Sequence, residues 1–172
     1  MPDRIANKVV LVEDVEQQNL AHRYLERCGH NIRDCRFERP ARACGGSGEK
    51  FVRDRYPQEV KACRSSLGRR ASALLVVMVD ADTVTTERRA SQLSAALQTA
   101  GVGERDNSEP IVVLIPKRHV ETWIRALLGN AVDEEQSYEK ATPTRNEIKE
   151  AADTLYGWTR PNAGARPPFP PC

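Results

Sequence analysis

Apolar residues run unbroken from Leu74 to Val79 and stop at Asp80-Ala81-Asp82. A short continuous run of this kind, rich in valine and bounded by polar sequence, predicts a strand covered on both faces. Two other runs share the form: Lys8 to Glu13 (KVVLVE), which also ends in a carboxylate, and Ile111 to Ile115 behind Pro110. A weaker strand is predicted over His30 to Phe37. Between these runs the apolar positions change to helical spacing. Leu20, Ala21, Tyr24, Leu25 and Cys28 keep that period before Gly29, and Val52, Tyr56, Val60, Cys63 and Leu67 keep it further on. Pro57 interrupts the second set and predicts a kink or two short helices. Thr83 to Ala100 reads as an amphipathic helix closed by Gly101, and Arg118 to Leu128 as one that buries Val120, Trp123, Ile124 and Leu127. In the last helix Thr142 reads as the cap and Pro143 as the first helical residue, with Ile148, Ala152, Leu155 and Tyr156 following.

Strands that alternate with helices, and are themselves buried, imply an α/β layer fold: a mainly parallel, Rossmann-like sheet flanked by helices. The 172 residues suffice for one domain with a proper core, expected over residues 1–159. The remainder, residues 160–172 (RPNAGARPPFPPC), is a Pro-rich tail, expected to be extended or disordered unless something holds it.

Composition narrows the functional classes only a little. Hydrophobic residues make up 40% and charged residues 29%, and 26 basic side chains nearly balance 24 acidic ones, so the placement of the arginines matters more than the net charge of +2. No apolar run approaches the ~20 residues of a membrane span, and MPDRIANK lacks the apolar stretch of a signal peptide. A cytoplasmic protein without membrane contact is expected. Five cysteines, odd in number and with no CxxC pair, fit reduced thiols better than disulfides or a structural zinc site.

The strand ends carry the chemistry. Residues two apart on an extended chain point the same way, roughly 6.6 Å apart, so Asp80 and Asp82 form a pair. Ligand sites of parallel sheets lie in the crevice beyond the carboxyl ends of the strands. If the first and central strands are neighbours, Glu13 joins the two aspartates there. Hard oxygen ligands of this kind suit magnesium or manganese, which serve phosphoryl transfer. The alternative is a polar junction in which an acid caps the next helix, as Asp82 before Thr83 would, or favours its first turn, as Asp14 and Glu16 would. Glu121 lies beside the buried stripe of its helix, where it either orients a basic side chain or a water near the ligand, or makes an edge salt bridge.

The basic residues that bear on the site are sought among Arg39, Arg42, Arg53, Arg55, Arg69, Arg70, Arg88, Arg89, Lys117 and Arg118. Arg88, Arg89, Lys117 and Arg118 follow strand ends on the acidic side of the sheet. With Arg53 they are the candidate contacts for a phosphate backbone. The Gly45-Gly46-Ser47-Gly48 loop either lets the backbone approach a phosphate or is a flexible connection; it lacks P-loop lysine spacing, which argues against nucleotide binding. His22, His30 and His119 have no nucleophile partner in the pattern, which disfavours Ser/His and Cys/His hydrolases. Tyr24, Tyr56, Tyr138 and Tyr156 read as structural.

Taken in order, Glu13 in VVLVED, the glycine-rich GGSGEKFV, Asp80-Ala81-Asp82 in VVMVDAD and PKRHVETWI resemble the Toprim domain. The likeness spans most of Lys8 to Leu128 and is greatest to small stand-alone, OLD-like Toprim proteins of bacterial defence loci. The chain departs at Asp14, where that family usually has glycine, and Glu16 stands one residue away from the family's second acid. The resemblance implies a magnesium- or manganese-dependent nuclease acting on DNA or RNA, with an ATPase partner and with oligomerisation open. Glu13, Asp80, Asp82 and, as an extra ligand, Asp14 would hold metal; Glu121 would join the first three in catalysis. A non-catalytic Toprim-like interaction subunit is the alternative. A two-component receiver, with Glu13, Asp14, Asp80 and Lys117 in its acidic and lysine positions, fits less well, because only one helix and one strand fit between Asp82 and Lys117.

Overall fold

Four short apolar strands pair side by side, all parallel, in the order β2-β1-β3-β4. The computed structural model describes residues 7–41, 47–68, 72–133, 136 and 142–164. Its elements are β1 (Lys8–Leu11), α1 (Val15–Arg27), a 3-10 turn (Ile32–Asp34), β2 (Cys35–Glu38), α2 (Gly48–Gly68), β3 (Leu74–Met78), α3 (Thr86–Thr99), β4 (Ile111–Leu114), α4 (Val120–Leu127) and α5 (Arg145–Thr159). The α/β architecture and the parallel sheet flanked by helices are those the alternating pattern predicts. Val10 stands opposite Phe37 on one side and Val76 on the other, and Val76 stands opposite Val112.

Side chains alternate across each strand, so the two faces draw separate cores from the same valines. Val10, Val12 and Met78 pack with Leu20, Leu25, Ile124, Ile148 and Ala152 beneath α1, α4 and α5. Leu11, Leu75, Val77 and Val79 pack with Val52, Tyr56, Val60, Leu93 and Leu97 beneath α2 and α3. Each fully buried valine or leucine contributes about 1.5–3 kcal/mol, which explains why Val9–Val12 and Leu74–Val79 hold no polar residue. The chain steps outward from β1 to β2 and returns through α2 to β3. The strand order therefore reverses between β1 and β3, which places the crevice at the ends carrying Glu13 and Asp80.

Several local expectations are corrected. α2 runs through Pro57 without interruption; the lost N–H and ring clash cost about 3 kcal/mol, offset by burial of Val52, Tyr56, Pro57, Val60 and Cys63 along one face. α3 starts at Thr86 because Thr85 caps it, its Oγ1 accepting the Arg88 N–H at 3.1 Å. α5 is capped by Thr144 in a reciprocal box with Glu147, which displaces Thr142 and Pro143 from the roles expected of them. The second strand shrinks to Cys35–Glu38, since Asn31 starts a 3-10 turn ahead of it. No helix among the described residues is long and apolar enough to cross a membrane. Arg42, Gly45, Gly46, Arg69, Arg70, Tyr138 and the tail from residue 165 onward lie outside the described residues.

Candidate functional site

Asp80 is only 2% exposed, two residues beyond the end of β3. Pairing between β3 and β4 continues past the strands: the Ala81 N–H donates to Pro116 O (2.8 Å) and the Asp82 N–H to Arg118 O (3.3 Å). At Asp82 the chain then turns out through a left-handed conformation, φ +54°, leaving that carboxylate exposed at the rim. A non-glycine residue held there costs roughly 1 kcal/mol, and Asp and Asn adopt it more readily than other side chains.

A residue that the sequence reading missed holds the two strand ends together. Gln17 in the first turn of α1 has no exposed surface. Its Oε1 accepts the Glu13 N–H (2.9 Å), its Nε2 donates to Asp80 Oδ1 (2.8 Å), and its own N–H donates to Asp14 Oδ1 (2.9 Å). Asp14 is therefore the cap of α1 as well as a member of the acidic group. Gln17 lies three and four residues before Leu20 and Ala21, on the apolar stripe of its helix, and that placement is the signal that marks it off from Gln18.

Arg89, expected to meet substrate, is instead 7% exposed and committed internally. Its Nε donates to Asp80 O (2.9 Å), its Nη2 to Ala81 O (3.4 Å) and its Nη1 to Gln92 Oε1 (2.7 Å). Nη1 also pairs with Glu49 Oε1 at 2.9 Å, and Arg53 Nη1 pairs with the same oxygen at 2.8 Å. Arg89 thus braces the Asp80-Ala81 backbone and ties α3 to the start of α2. Replacing it with methionine should destabilise the fold by about 3 kcal/mol, because Glu49 and two carbonyls lose a buried partner. Urea unfolding measures this; a change under 1 kcal/mol, the scale of an exposed pair, would show that the brace is ornamental.

Gly48, the first residue of α2, packs against the Glu13 backbone so closely that an added Cβ would lie 2.8 Å from Glu13 Cβ and from Glu13 O. The last glycine of the loop therefore positions a carboxylate. Ser47 Oγ accepts the Lys50 N–H (3.2 Å) and starts that helix.

Burial, together with neighbouring acidic charges, raises both inner acids. Desolvation pushes the Glu13 carboxyl up to about 7, helped by the charges of Asp82 and Asp14 and opposed by Arg89 and the Asp80 backbone. Desolvation pushes Asp80 up to about 9, helped by Glu13, Asp14 and Asp82 and opposed by the Gln17 hydrogen bond. Glu13 Oε1 is buried without a hydrogen-bond partner. Among the described residues no three His, Cys, Asp or Glu side chains stand ready to hold one ion between them. With Asp82 turned to the rim and Asp14 engaged by the helix start, the inner pair is Glu13 and Asp80.

The remaining expected residues divide. Arg88 is exposed, and Lys117 and Arg118 are half-buried, with Arg118 Nη1 donating to Asp82 O at 3.3 Å. Glu121 is buried in the first turn of α4, with Oε2 3.4 Å from His119 Nδ1. The contact described for Glu121 is with His119 rather than with Glu13 or Asp80. No protein-family model, curated protein or solved structure matches the chain.

Proposed function

We propose that this chain is a magnesium- or manganese-dependent phosphodiesterase of the Toprim type that acts on DNA or RNA. One observation carries the reading: Glu13 and Asp80 meet at the switch point of a parallel sheet, with carboxyl groups raised to about 7 and about 9, chiefly by burial, and with the Glu13 charge adding to the rise at Asp80. A fold accepts that cost where a cation is to be bound. The pair fits a hard ion that takes few carboxylates and keeps several waters, and the orphaned Glu13 Oε1 is a free donor atom for it. Such an ion supplies neutralisation of charge that develops on a phosphate in hydrolysis.

The chain's own residues do the rest. Gln17 fixes Asp80, Arg89 fixes the backbone behind it, and the first turn of α2 fixes Glu13. The exposed Asp82 carboxylate would take a proton from an attacking water, since Asp80 is too enclosed for that part. Arg118, which donates to Asp82 O, with Arg53, Arg88 and Lys117 would supply the positive charge that a phosphate backbone needs. An ATPase partner, a role in bacterial defence and a cytoplasmic setting rest on the Toprim resemblance and the sequence alone.

Plasmid DNA and total RNA incubated with magnesium or manganese test the reading, with and without the product of a neighbouring ATPase gene. The wild-type chain should cut one polymer, and Asp80→Ala/Asp82→Ala should cut it at least ~10³-fold more slowly. Cutting that survives the double substitution, or none from either protein with the partner present, would move the reading to a non-catalytic interaction subunit.

A further inference from the structure

Two arginines share one carboxylate oxygen at the start of α2. Glu49 Oε1 lies 2.8 Å from Arg53 Nη1 and 2.9 Å from Arg89 Nη1. The side chains of Glu49 and Arg89 keep only 16% and 8% of their surface, while that of Arg53 keeps 34%. A Glu–Arg pair four residues apart on a helix is common and adds little by itself. This one differs in two respects. Its oxygen is buried and also serves an arginine of α3. One negative charge between two positive ones also leaves the group with a positive excess.

The group sits against the acidic pair. Gly48, the residue before Glu49, abuts Glu13, and Arg89 Nε donates to Asp80 O at 2.9 Å. Only the side chains of Glu49 and Arg89 therefore separate the Arg53 guanidinium from the Asp80 backbone. The Arg89 charge also reaches Glu13, where it opposes the effect of burial. The two arginines are committed to different degrees. Arg89 engages Asp80 O, Ala81 O, Gln92 and Glu49 through all three of its nitrogens. Arg53 has, among the described residues, a single polar contact, from Nη1 to Glu49. A guanidinium carries five N–H donors in a planar fork, so Arg53 retains donors for a ligand, and that fork matches two oxygens of a phosphate.

We propose that Glu49 is a positioning residue: through its shared oxygen it holds Arg53 on the α2 side of the acidic pair, ready to receive one phosphate of a nucleic acid. The inference rests on the phosphodiesterase reading above and gives the two residues separate parts in it. Arg53 contacts the phosphate; Glu49 touches no substrate and acts through Arg53. An unrestrained arginine loses rotamer freedom when it meets a phosphate, and Glu49 removes that freedom beforehand. The Glu49 charge by itself would repel the phosphate, but Arg89 at 2.9 Å offsets it. The sign of the effect of removing Glu49 therefore decides between positioning and plain repulsion.

The test measures binding and cutting separately on the full chain. Labelled DNA and RNA oligonucleotides are titrated without divalent ion at several salt concentrations, and the kinetics of cutting are then followed with manganese. Arg53→Ala should weaken binding ~10-fold and reduce the slope of log affinity against log salt by about one. Glu49→Ala should weaken binding ~5-fold through KM, with kcat unchanged, and Glu49→Ala/Arg53→Ala should bind no more weakly than Arg53→Ala alone. Glu49→Gln, which keeps the volume, carries the same comparison if Glu49→Ala does not fold. A wild-type chain that neither binds nor cuts would sink the phosphodiesterase reading, and this inference with it. A wild-type chain that binds and cuts, beside a Glu49 variant that binds as well or better, would overturn the positioning role alone. So would a loss confined to kcat, or a further loss in the Arg53→Ala background, because Glu49 would then act through Arg89 and the Asp80 backbone.

Discussion

Asp80→Asn is expected to make the protein more stable at pH 8 while abolishing its response to divalent cations. In the wild-type chain Asp80 is pushed from an ordinary carboxyl value to about 9 and Glu13 to about 7. A carboxyl whose pKa is raised by folding contributes stability that is fully present below its unfolded value, near pH 4, and is lost as pH rises through the folded value. Stability should therefore fall steadily between about pH 4 and pH 9 in the absence of metal. Asparagine keeps the volume and leaves an oxygen for the Gln17 Nε2 bond, but it carries no charge to bury. The variant should gain about 2 kcal/mol at pH 8 and almost nothing at pH 4, a trade of function against stability typical of binding sites. Thermal unfolding at both pH values, with and without magnesium or manganese, measures all of it. Wild type should gain stability with the ion at pH 8 and the variant should not. A variant less stable than wild type at pH 8 would mean that Asp80 serves the fold, and the case for a cation site would go with it.

The fold was legible because its signals are local and repeated. The valine runs at Lys8–Leu11, Leu74–Met78 and Ile111–Leu114 have no other use than as buried parallel strands, and the helices between them show their stripes. Boundaries were less legible, since several capping side chains competed for each helix start: Thr85 won over Asp82, and Thr144 over Thr142. Glu13 and Asp80 could be named from strand ends alone, because topology does the work of bringing them together. Gln17, Glu49 and the inward turn of Arg89 could not. Their roles depend on how α1, α2 and α3 sit on the strand ends; the Gln17 contact spans 63 residues to Asp80, and its one local mark is a polar side chain on the apolar stripe of α1. Arginine in particular looks the same in sequence whether it faces a phosphate or, like Arg89, two backbone carbonyls.

Gly48→Ala carries the other large expected effect, and its sign is the informative part. In a helix, alanine is better than glycine by about 1 kcal/mol, so the substitution would ordinarily stabilise α2. Here the new methyl would lie 2.8 Å from Glu13 Cβ and Glu13 O and 3.1 Å from Glu13 Cα, none of which can rotate away. Either α2 moves outward or the end of β1 moves, at a cost of about 2 kcal/mol. Both movements displace Glu13 relative to Asp80, which Gln17 holds from the other side. Gly157 provides the comparison: it lies within α5, and nothing stands within 4 Å of an added Cβ. Gly157→Ala should stabilise by about 0.5–1 kcal/mol and leave divalent-ion binding untouched. Urea unfolding of both variants, paired with titration of magnesium or manganese, separates the two effects. If Gly48→Ala behaves like Gly157→Ala in both measurements, the close approach of α2 does not position Glu13. If it loses stability and ion binding together, the glycine-rich loop earns its place in the sequence by ending in the one residue that lets a helix start against a ligand carboxylate.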